Sequence, residues 1–393
     1  MLSTEKRKEG FRLISNRAGA FQNEGQYKVF VPKDLPPDPP IKYDSELVSL
    51  SGAARQALGQ LDGLTRIIRN PNHFIAMYIK KEALLSSQIE GTQASLIDVL
   101  VSEKDSREIR RHDIREVINY SNALRYGLQR VKELPFSLRL LREIHGMLLE
   151  DVRGGNRNPG EFRVSQNWIG PHSSTPKTAD FVPPSVHHMT RALENLEFYY
   201  HEGKEPPLIK CGLLHAQFET IHPFLDGNGR IGRLLISFFL RDKEVLDRPL
   251  LYLSYYFKKY RLEYYDRLMA IRTDGDWEGW LAFFLTGIVE VSKQATETAA
   301  ALVELAEMDR AKIMERTRTN NAVLLHEILL ESPVINTADV EGKLGVTHPT
   351  ARSLVNTLVS IGVLEEITGQ ERYRKWKYSR VIEILAEGTT VGT

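Results

Sequence analysis

A single cysteine, Cys211, occurs in the whole chain, which excludes an intramolecular disulfide and any zinc site built from several cysteines. A reducing compartment is expected. Long apolar runs are missing too. The longest, Leu234–Leu240 and Phe283–Val289, are interrupted by Ser237 and by Thr286 and Gly287. Both fall far short of the roughly 20 residues a membrane-spanning helix needs. The start, Met1 to Arg7, lacks the apolar stretch of a signal peptide. Neither sign of charge is in excess: 52 Lys and Arg against 51 Asp and Glu leave a net +1. The surface as a whole is therefore not built to hold polyanions, although a local basic patch is compatible with the balance. What is present, 42% hydrophobic and 26% charged among 393 residues, suffices for an ordinary core in two or three domains. The expectation is a soluble, cytoplasmic, multi-domain protein with no membrane partner.

Breakers and periodicity divide the chain. The first sixty residues read as an extended arm, proline-rich from Pro32 to Pro40 and favouring polyproline II geometry. Apolar residues then recur at helical spacing, as in Phe74, Met77, Tyr78, Leu84 and Leu85, and Pro135 is expected to open a helix carrying Leu138, Leu141, Ile144 and Leu148. Residues 151–184 are rich in Gly and Pro, with short β-like pieces at Phe162–Val164, Trp168-Ile169 and Phe181-Val182, and read as a loop with a hairpin. Helices resume at Val186 and run to about Thr317 without intervening strands, so no parallel sheet is built. The last part, residues 306–393, changes again: helices near Ala322–Leu330, from Asn336 to Gly345 and over Ala351–Ser360, then two strand-like arms about Gly369-Gln370. That order predicts a winged helix–turn–helix.

The segment His222-Pro223-Phe224-Leu225-Asp226-Gly227-Asn228-Gly229-Arg230-Ile231-Gly232-Arg233 carries the chemistry. Its six residues from Gly227 satisfy G-x-G-x-x-G, with Asp247 twenty residues on, yet a dinucleotide fold needs a strand before the first glycine, and here Cys211, Leu214, Phe218 and Ile221 mark a helix. Glycines flanking Asn228 let backbone N–H groups converge into an anion nest, and the following helix adds its positive end. Arg230 and Arg233, three apart, share a face there. Asp226 is a hard oxygen ligand suited to hydrated Mg²⁺, and His222 titrates near neutrality and can accept a proton from a hydroxyl. Together these describe phosphoryl or nucleotidyl transfer. His215, Glu219 and His222 also fall on one helical face, but without His-Glu-x-x-His spacing His215 and Glu219 read as structural rather than as a zinc site.

The run His222–Arg233 resembles the signature of Fic-domain proteins, H-P-F-x-D-G-N-G-R-x-x-R, at every fixed position. The likeness extends to Gly160-Glu161-Phe162-Arg163, to the loop from Trp168 to Pro184 and to the proline-rich arm. It implies a mainly α fold: a Fic-type helical bundle with a β-hairpin flap, with the C-terminal winged helix–turn–helix appended. The implied domains are an arm at 1–60, a catalytic core at 61–305 and the tail at 306–393. The implied activity is transfer of AMP from ATP, with Mg²⁺, to a Ser, Thr or Tyr hydroxyl of a target protein or of the chain itself. By the resemblance, His222 is the general base and Phe224 anchors the loop. Asp226 binds Mg²⁺. Gly227, Asn228, Gly229, Arg230, Gly232 and Arg233 hold the nucleotide phosphates, and Tyr264 and Tyr265 line its pocket. Trp168, Ile169, Gly170, Phe181 and Val182 form a flap at about 163–184 that aligns the target by strand addition.

Ser86-Ser87-Gln88-Ile89-Glu90-Gly91 resembles the family's inhibitory motif, S/T-x-x-x-E-G/N, on a helix at about 74–91. Gly91 is a candidate C′ glycine, which puts Glu90 at a helix C-terminus where the macrodipole opposes it by roughly 0.3–1 kcal/mol. The resemblance supplies a compensating partner, Arg233, and casts Ser86 and Glu90 as a brake. Two other readings stand beside AMP transfer: removal of AMP from modified proteins at the same site, and a transcription regulator whose core senses ATP. For the latter the tail offers Thr350, Arg352, Ser353, Asn356 and Thr357 on its third helix and Arg372, Arg374, Lys375, Lys377 and Arg380 on its wing. DNA binding, protein docking and homodimer formation are the roles open to that tail.

Overall fold

The computed structural model describes residues 16–67, 71–102, 112–152, 154–171, 173–370 and 372–390. The first fifteen residues of the arm and Glu371 of the wing lie outside them. In chain order the elements are β1 (Gly19–Glu24), β2 (Tyr27–Pro32), α1 (Ser45–Ile67), α2 (Pro71–Ile89), α3 (Leu96–Ser102), α4 (His112–Arg130) and α5 (Leu138–Leu148). Then follow α6 (Val186–Glu202), α7 (Pro207–Ile221), α8 (Asn228–Asp242), α9 (Ser254–Lys259), α10 (Arg261–Asp274) and α11 (Trp277–Arg316). The last are α12 (Asn320–Glu331), β3 (Val334–Asn336), α13 (Thr337–Leu344), α14 (His348–Ser360), β4 (Glu365–Glu366), β5 (Lys375–Lys377) and α15 (Ser379–Leu385). The fold is mainly α. Two compact units emerge: one from the described residues up to Gly59 with Asn122–Val291, the other from those of Gln60–Ser121 and Ser292–Thr393. The inhibitory-motif helix α2 thus belongs to the same unit as the C-terminal elements.

The first unit is built around α7. Every residue from Leu208 to Ile221 is buried, including the polar Lys210, His215, Gln217, Glu219 and Thr220. It packs on α6, α8, α10 and β2. The described part of the arm holds the antiparallel hairpin β1–β2, continues as coil with cis bonds at Leu35–Pro36 and Asp38–Pro39, and ends in α1. Arg17 fixes the coil: its Nε and Nη2 donate to the carbonyls of Pro39 and Pro40 at 2.7 and 2.8 Å, and its fork grips Glu278 at 2.6 and 2.9 Å. Such planar bidentate pairing is what guanidinium geometry favours.

Two sequence expectations shift. Pro135 does not open α5; Ser137 is its N-cap, its hydroxyl accepting from Leu140 N at 3.3 Å, since a cap needs a side-chain acceptor for an orphan N–H and proline has none. The flap holds less strand than expected: among its described residues a single antiparallel bridge joins Ile169 and Phe181, through N–H···O bonds of 2.8 and 3.1 Å. Pro171 and Pro176 interrupt further pairing, and Trp168 Nε1 donates to Ser174 O at 2.9 Å instead.

In the second unit, α2 packs on α3, α12 and α15. The strands form one antiparallel sheet in the order β3-β5-β4. Strand β3 was hidden in the sequence by the helix-start signal of Asn336. Both are real: Asn336 ends β3 and caps α13 in a reciprocal box with Asp339 at 2.9 and 3.0 Å. Gly345 closes α13 in the left-handed region.

Candidate active site

The Gly-rich turn lies between α7 and α8. His222 caps α7 at φ 50°, ψ 60°, and Gly227 precedes α8 at φ 75°. A non-glycine residue there is strained and persists only where its surroundings hold it. They do so through backbone carbonyls. Arg163, 1% exposed, donates from Nε to His222 O at 3.0 Å and from Nη2 to Pro184 O at 2.5 Å, and its own N–H donates to Pro223 O at 2.9 Å. Burial pulls this guanidinium down to about 10. Asn167 Nδ2 donates to His222 O at 3.1 Å and Phe224 O at 2.8 Å. The Asn228 carboxamide is closed onto Phe224, accepting from its N–H at 2.9 Å and donating to its carbonyl at 2.8 Å. Asn228 therefore staples the loop with its side chain, leaving its backbone to the nest.

His145 completes the support. Its ring stacks on Phe224, centroids 3.8 Å apart and 10° from parallel. Gly160 N–H donates to its Nδ1 at 2.9 Å, so Nε2 carries the proton and donates to Asp226 O at 3.1 Å. Burial holds its pKa down at about 4, so it is neutral at pH 7. Sequence reasoning passed over it because it lies on the apolar stripe of α5 among Leu141, Ile144 and Leu148. Asn167 was missed for the same kind of reason: its partners are backbone atoms more than fifty residues away.

Asp226 is half-buried, its side chain 42% exposed, with Oδ1 3.5 Å from Arg230 Nη2. Its other oxygen passes so close to Gly154 (φ 85°) that a Cβ there would lie 2.4 Å from Oδ2. Arg230 and Arg233 are 4% and 3% exposed. Nε and Nη1 of Arg230 are buried with no hydrogen-bond partner among the described residues. Such donors are costly to leave unmade, and an anion seated at the start of α8 would satisfy them. The described residues contain no cluster of three His, Cys, Asp or Glu able to hold a metal. A single accessible carboxylate suits a hydrated Mg²⁺ whose other ligands come with a phosphate.

The remaining expected residues are distributed as follows. Tyr264 is a core residue, 1% exposed; its hydroxyl donates to His215 Nε2 at 2.9 Å and its ring stacks on Phe257. Tyr265 is 41% exposed. Since Gly232 O can only accept, His215 Nδ1 donates to it at 2.9 Å. Both His215 nitrogens are thus engaged, and burial lowers its pKa to about 3. This excludes His215 as a zinc ligand as it stands. Gly232 meets Glu219: a Cβ would lie 2.3 Å from its Oε1. Trp168 is 41% exposed on the flap, while Phe181 and Val182 are buried at its base. The Phe181 ring lies 3.8 Å from the Arg272 guanidinium, which donates to Glu219 O at 3.1 Å and Thr220 Oγ1 at 3.2 Å.

In the second unit, Glu90 is exposed at the end of α2 and Ser86 is fully buried. Gly91, at φ 100°, is the C′ residue. Its N–H donates to Gln88 O at 3.1 Å and Thr92 N–H to Ser87 O at 3.2 Å, the two bonds of a Schellman motif. Arg352, Ser353, Asn356 and Ser360 line a polar groove of about 550 Å³ with Arg316 and His348. Much of the basic charge expected on a wing is balanced: Arg374 pairs with Glu366 at 3.5 Å, Lys377 with Glu365 at 3.4 Å and Arg380 with Asp309 of α11 at 2.5 Å.

Comparison with known proteins follows this geometry. Residues 48–129 match the model of the Fic/DOC family N-terminal domain, and residues 135–240 match that of the Fic/DOC family. Glu90 falls in the first match and His222–Arg233 in the second. The protein adenylyltransferase Fic of Drosophila virilis is 29% identical over 143 residues, covering 35% of this chain and 26% of that protein. Its namesake in Drosophila grimshawi gives the same figures. The chain therefore spans about a quarter of the length of the curated relatives it matches. Among solved structures, a Fic family protein from Desulfovibrio desulfuricans shares the fold at a TM-score of 0.56 and 18% identity, over 86% of this chain and 97% of that one. No described helix is long and apolar enough to cross a membrane. With both domain models matched in order and the signature turn complete between α7 and α8, the chain is a Fic-domain protein.

Proposed function

We propose that this chain is a protein adenylyltransferase, moving AMP from ATP to a Ser, Thr or Tyr hydroxyl of a target protein or of itself, with Glu90 as its brake. The observation that carries this is Arg230: a buried guanidinium with two unmade donors, beside the N-terminal end of α8 and one exposed carboxylate. That is a cradle for a polyphosphate rather than for a neutral ligand. In this reading Arg230 and Arg233 bind the β- and γ-phosphates with the backbone N–H groups of Asn228 and Gly229, while the Gly227 N–H donates to Asp226 Oδ1 at 2.6 Å and orients that carboxylate. Asp226 would hold Mg²⁺, which supplies charge neutralisation on the phosphates. His222 accepts the proton of the target hydroxyl as its oxygen bonds to the α-phosphorus, and the bond to pyrophosphate breaks. The rigid mount of the His222 and Phe224 carbonyls preserves this alignment, which positioning catalysis requires.

The test is mass spectrometry of the protein and of a lysate after incubation with ATP and Mg²⁺, for wild type, Glu90→Gly and Glu90→Gly/His222→Ala. AMP on protein in the Glu90→Gly sample, absent with His222→Ala, is the expected result. No AMP on any protein in all three would overturn AMP transfer. Loss of AMP from previously modified protein, without any gain, would favour the reverse reaction.

A further inference from the structure

Helix α2 is buried on every side from Met77 to Ile89, and what buries it includes the far end of the chain. It packs on α12 and α15. At the motif itself the Gln88 carboxamide makes a link. Gln88 Nε2 donates one hydrogen to Ala94 O at 3.0 Å and the other to Thr389 O at 2.9 Å. Both partners are carbonyls, so both must receive the NH₂ hydrogens. Ala94 stands just past the Schellman turn that carries Glu90. Thr389 stands 301 residues away along the chain. It is 3% exposed and rigidly presented: its N–H and Oγ1 donate to Ala386 O at 2.9 and 2.7 Å. The same segment is tied to α11, where Gln294 Nε2 donates to Glu387 Oε2 at 3.0 Å. On its other side the turn is held by α4, Thr92 Oγ1 donating to Glu116 Oε2 at 2.7 Å.

We propose that the C-terminal segment 379–390 is a latch on the Glu90 turn, through the Gln88–Thr389 bond, and that it sets the strength of the brake. The proposal rests on the reading of Glu90 as that brake. The physical basis is geometric. A carboxylate at a helix end is aimed by the turn beneath it, and here the Gln88 carboxamide is shared between the turn's own chain exit and the C-terminal segment, whereas Gln93 Nε2 closes back onto Gly91 O at 3.0 Å. Whatever displaces α15 or the residues after it withdraws one acceptor from Gln88 and loosens the turn. In this proposal the C-terminal elements are the regulatory input to the Glu90 turn.

The experiment measures labelled-AMP incorporation by the full chain as wild type, Gln88→Leu, Glu90→Gly and the double variant, with circular dichroism and a thermal melt on each. Leucine nearly matches glutamine in volume and removes both donors. Gln88→Leu is expected to raise incorporation about 2–10-fold, the worth of one or two buried hydrogen bonds, with less effect than Glu90→Gly. The double variant is expected to match Glu90→Gly alone. If Glu90→Gly activates and Gln88→Leu does not, the latch is wrong and the brake stands. If Gln88→Leu multiplies the rate further in the Glu90→Gly background, it acts elsewhere and the latch is also wrong. If neither substitution activates, the brake reading falls and the latch with it. Should Gln88→Leu fail to fold, a chain ending at Ala386 removes the same bond from the Thr389 side and is read by the same comparisons.

Discussion

A left-handed backbone costs a residue with a Cβ about 1–2 kcal/mol, so His222 stays at φ 50° only because Arg163 and Asn167 fix its carbonyl from outside the loop. The imidazole proposed as the base is thus placed by groups that hold its backbone carbonyl. A buried charge can also be a burden, and Lys81 on α2 is one. It is 4% exposed, and burial pulls its pKa down to about 8 against the opposing pull of Glu387. The sign follows from linkage: between about pH 8 and 10.5 the unfolded chain holds a proton on Lys81 that the folded chain has released. Stability should therefore rise with pH across that window, by up to about 3 kcal/mol for this group. Lys81→Met should be more stable than wild type at pH 7 in urea unfolding, and the difference should shrink toward pH 10. A difference that stays constant from pH 7 to pH 10 would contradict the neutral-lysine account.

Elements at the C-terminus depend on one carboxylate of α11. Asp309 is fully buried and accepts from Tyr378 OH and Arg380 Nη2, each at 2.5 Å, with Lys312 Nζ at 3.4 Å. Burial alone would raise its pKa, but the Tyr378 and Arg380 bonds outweigh it and hold the carboxyl below its ordinary range. These bonds fasten the end of β5 and the start of α15 to α11. Asp309→Asn keeps the shape but turns an NH₂ or an uncharged oxygen toward Arg380. It should lower stability at pH 7 by about 3 kcal/mol, the low end for a broken buried pair, because Arg380 is one-third exposed. A carboxyl with a depressed folded pKa contributes above its unfolded value near 4 and loses that contribution as pH falls through the folded one. The gap between wild type and variant in urea titrations should therefore be full at pH 6 and narrower at pH 3. An equal gap at both pH values would mean that the ion pair is not its source.

Across the whole molecule, what could be read from sequence was what is local. The turn from His222 to Arg233, the Gly91 end of α2 and the Asn336 cap are decided by neighbours within a few residues, and each lies where its spacing indicated. His145, Asn167 and the Gln88–Thr389 bond act through backbone atoms 15 to 301 residues distant, and no periodicity announces such partners. Cys211 gives a readout of the first unit. It is the only thiol, 1% exposed within α7, and burial pushes its pKa up, so both access and thiolate formation require opening of the core. An aromatic disulfide reagent should find no thiol in the native chain over minutes and one per chain in guanidinium. Because the labelling rate then follows the open population, a ligand of the native state slows it. At about 100 times its dissociation constant, ATP with Mg²⁺ should stabilise by about 2.7 kcal/mol and slow labelling about 100-fold. Glu90→Gly should show this protection at lower ATP than wild type if Glu90 obstructs the phosphate site. Protection at the same ATP concentration in both would place the action of Glu90 after nucleotide binding.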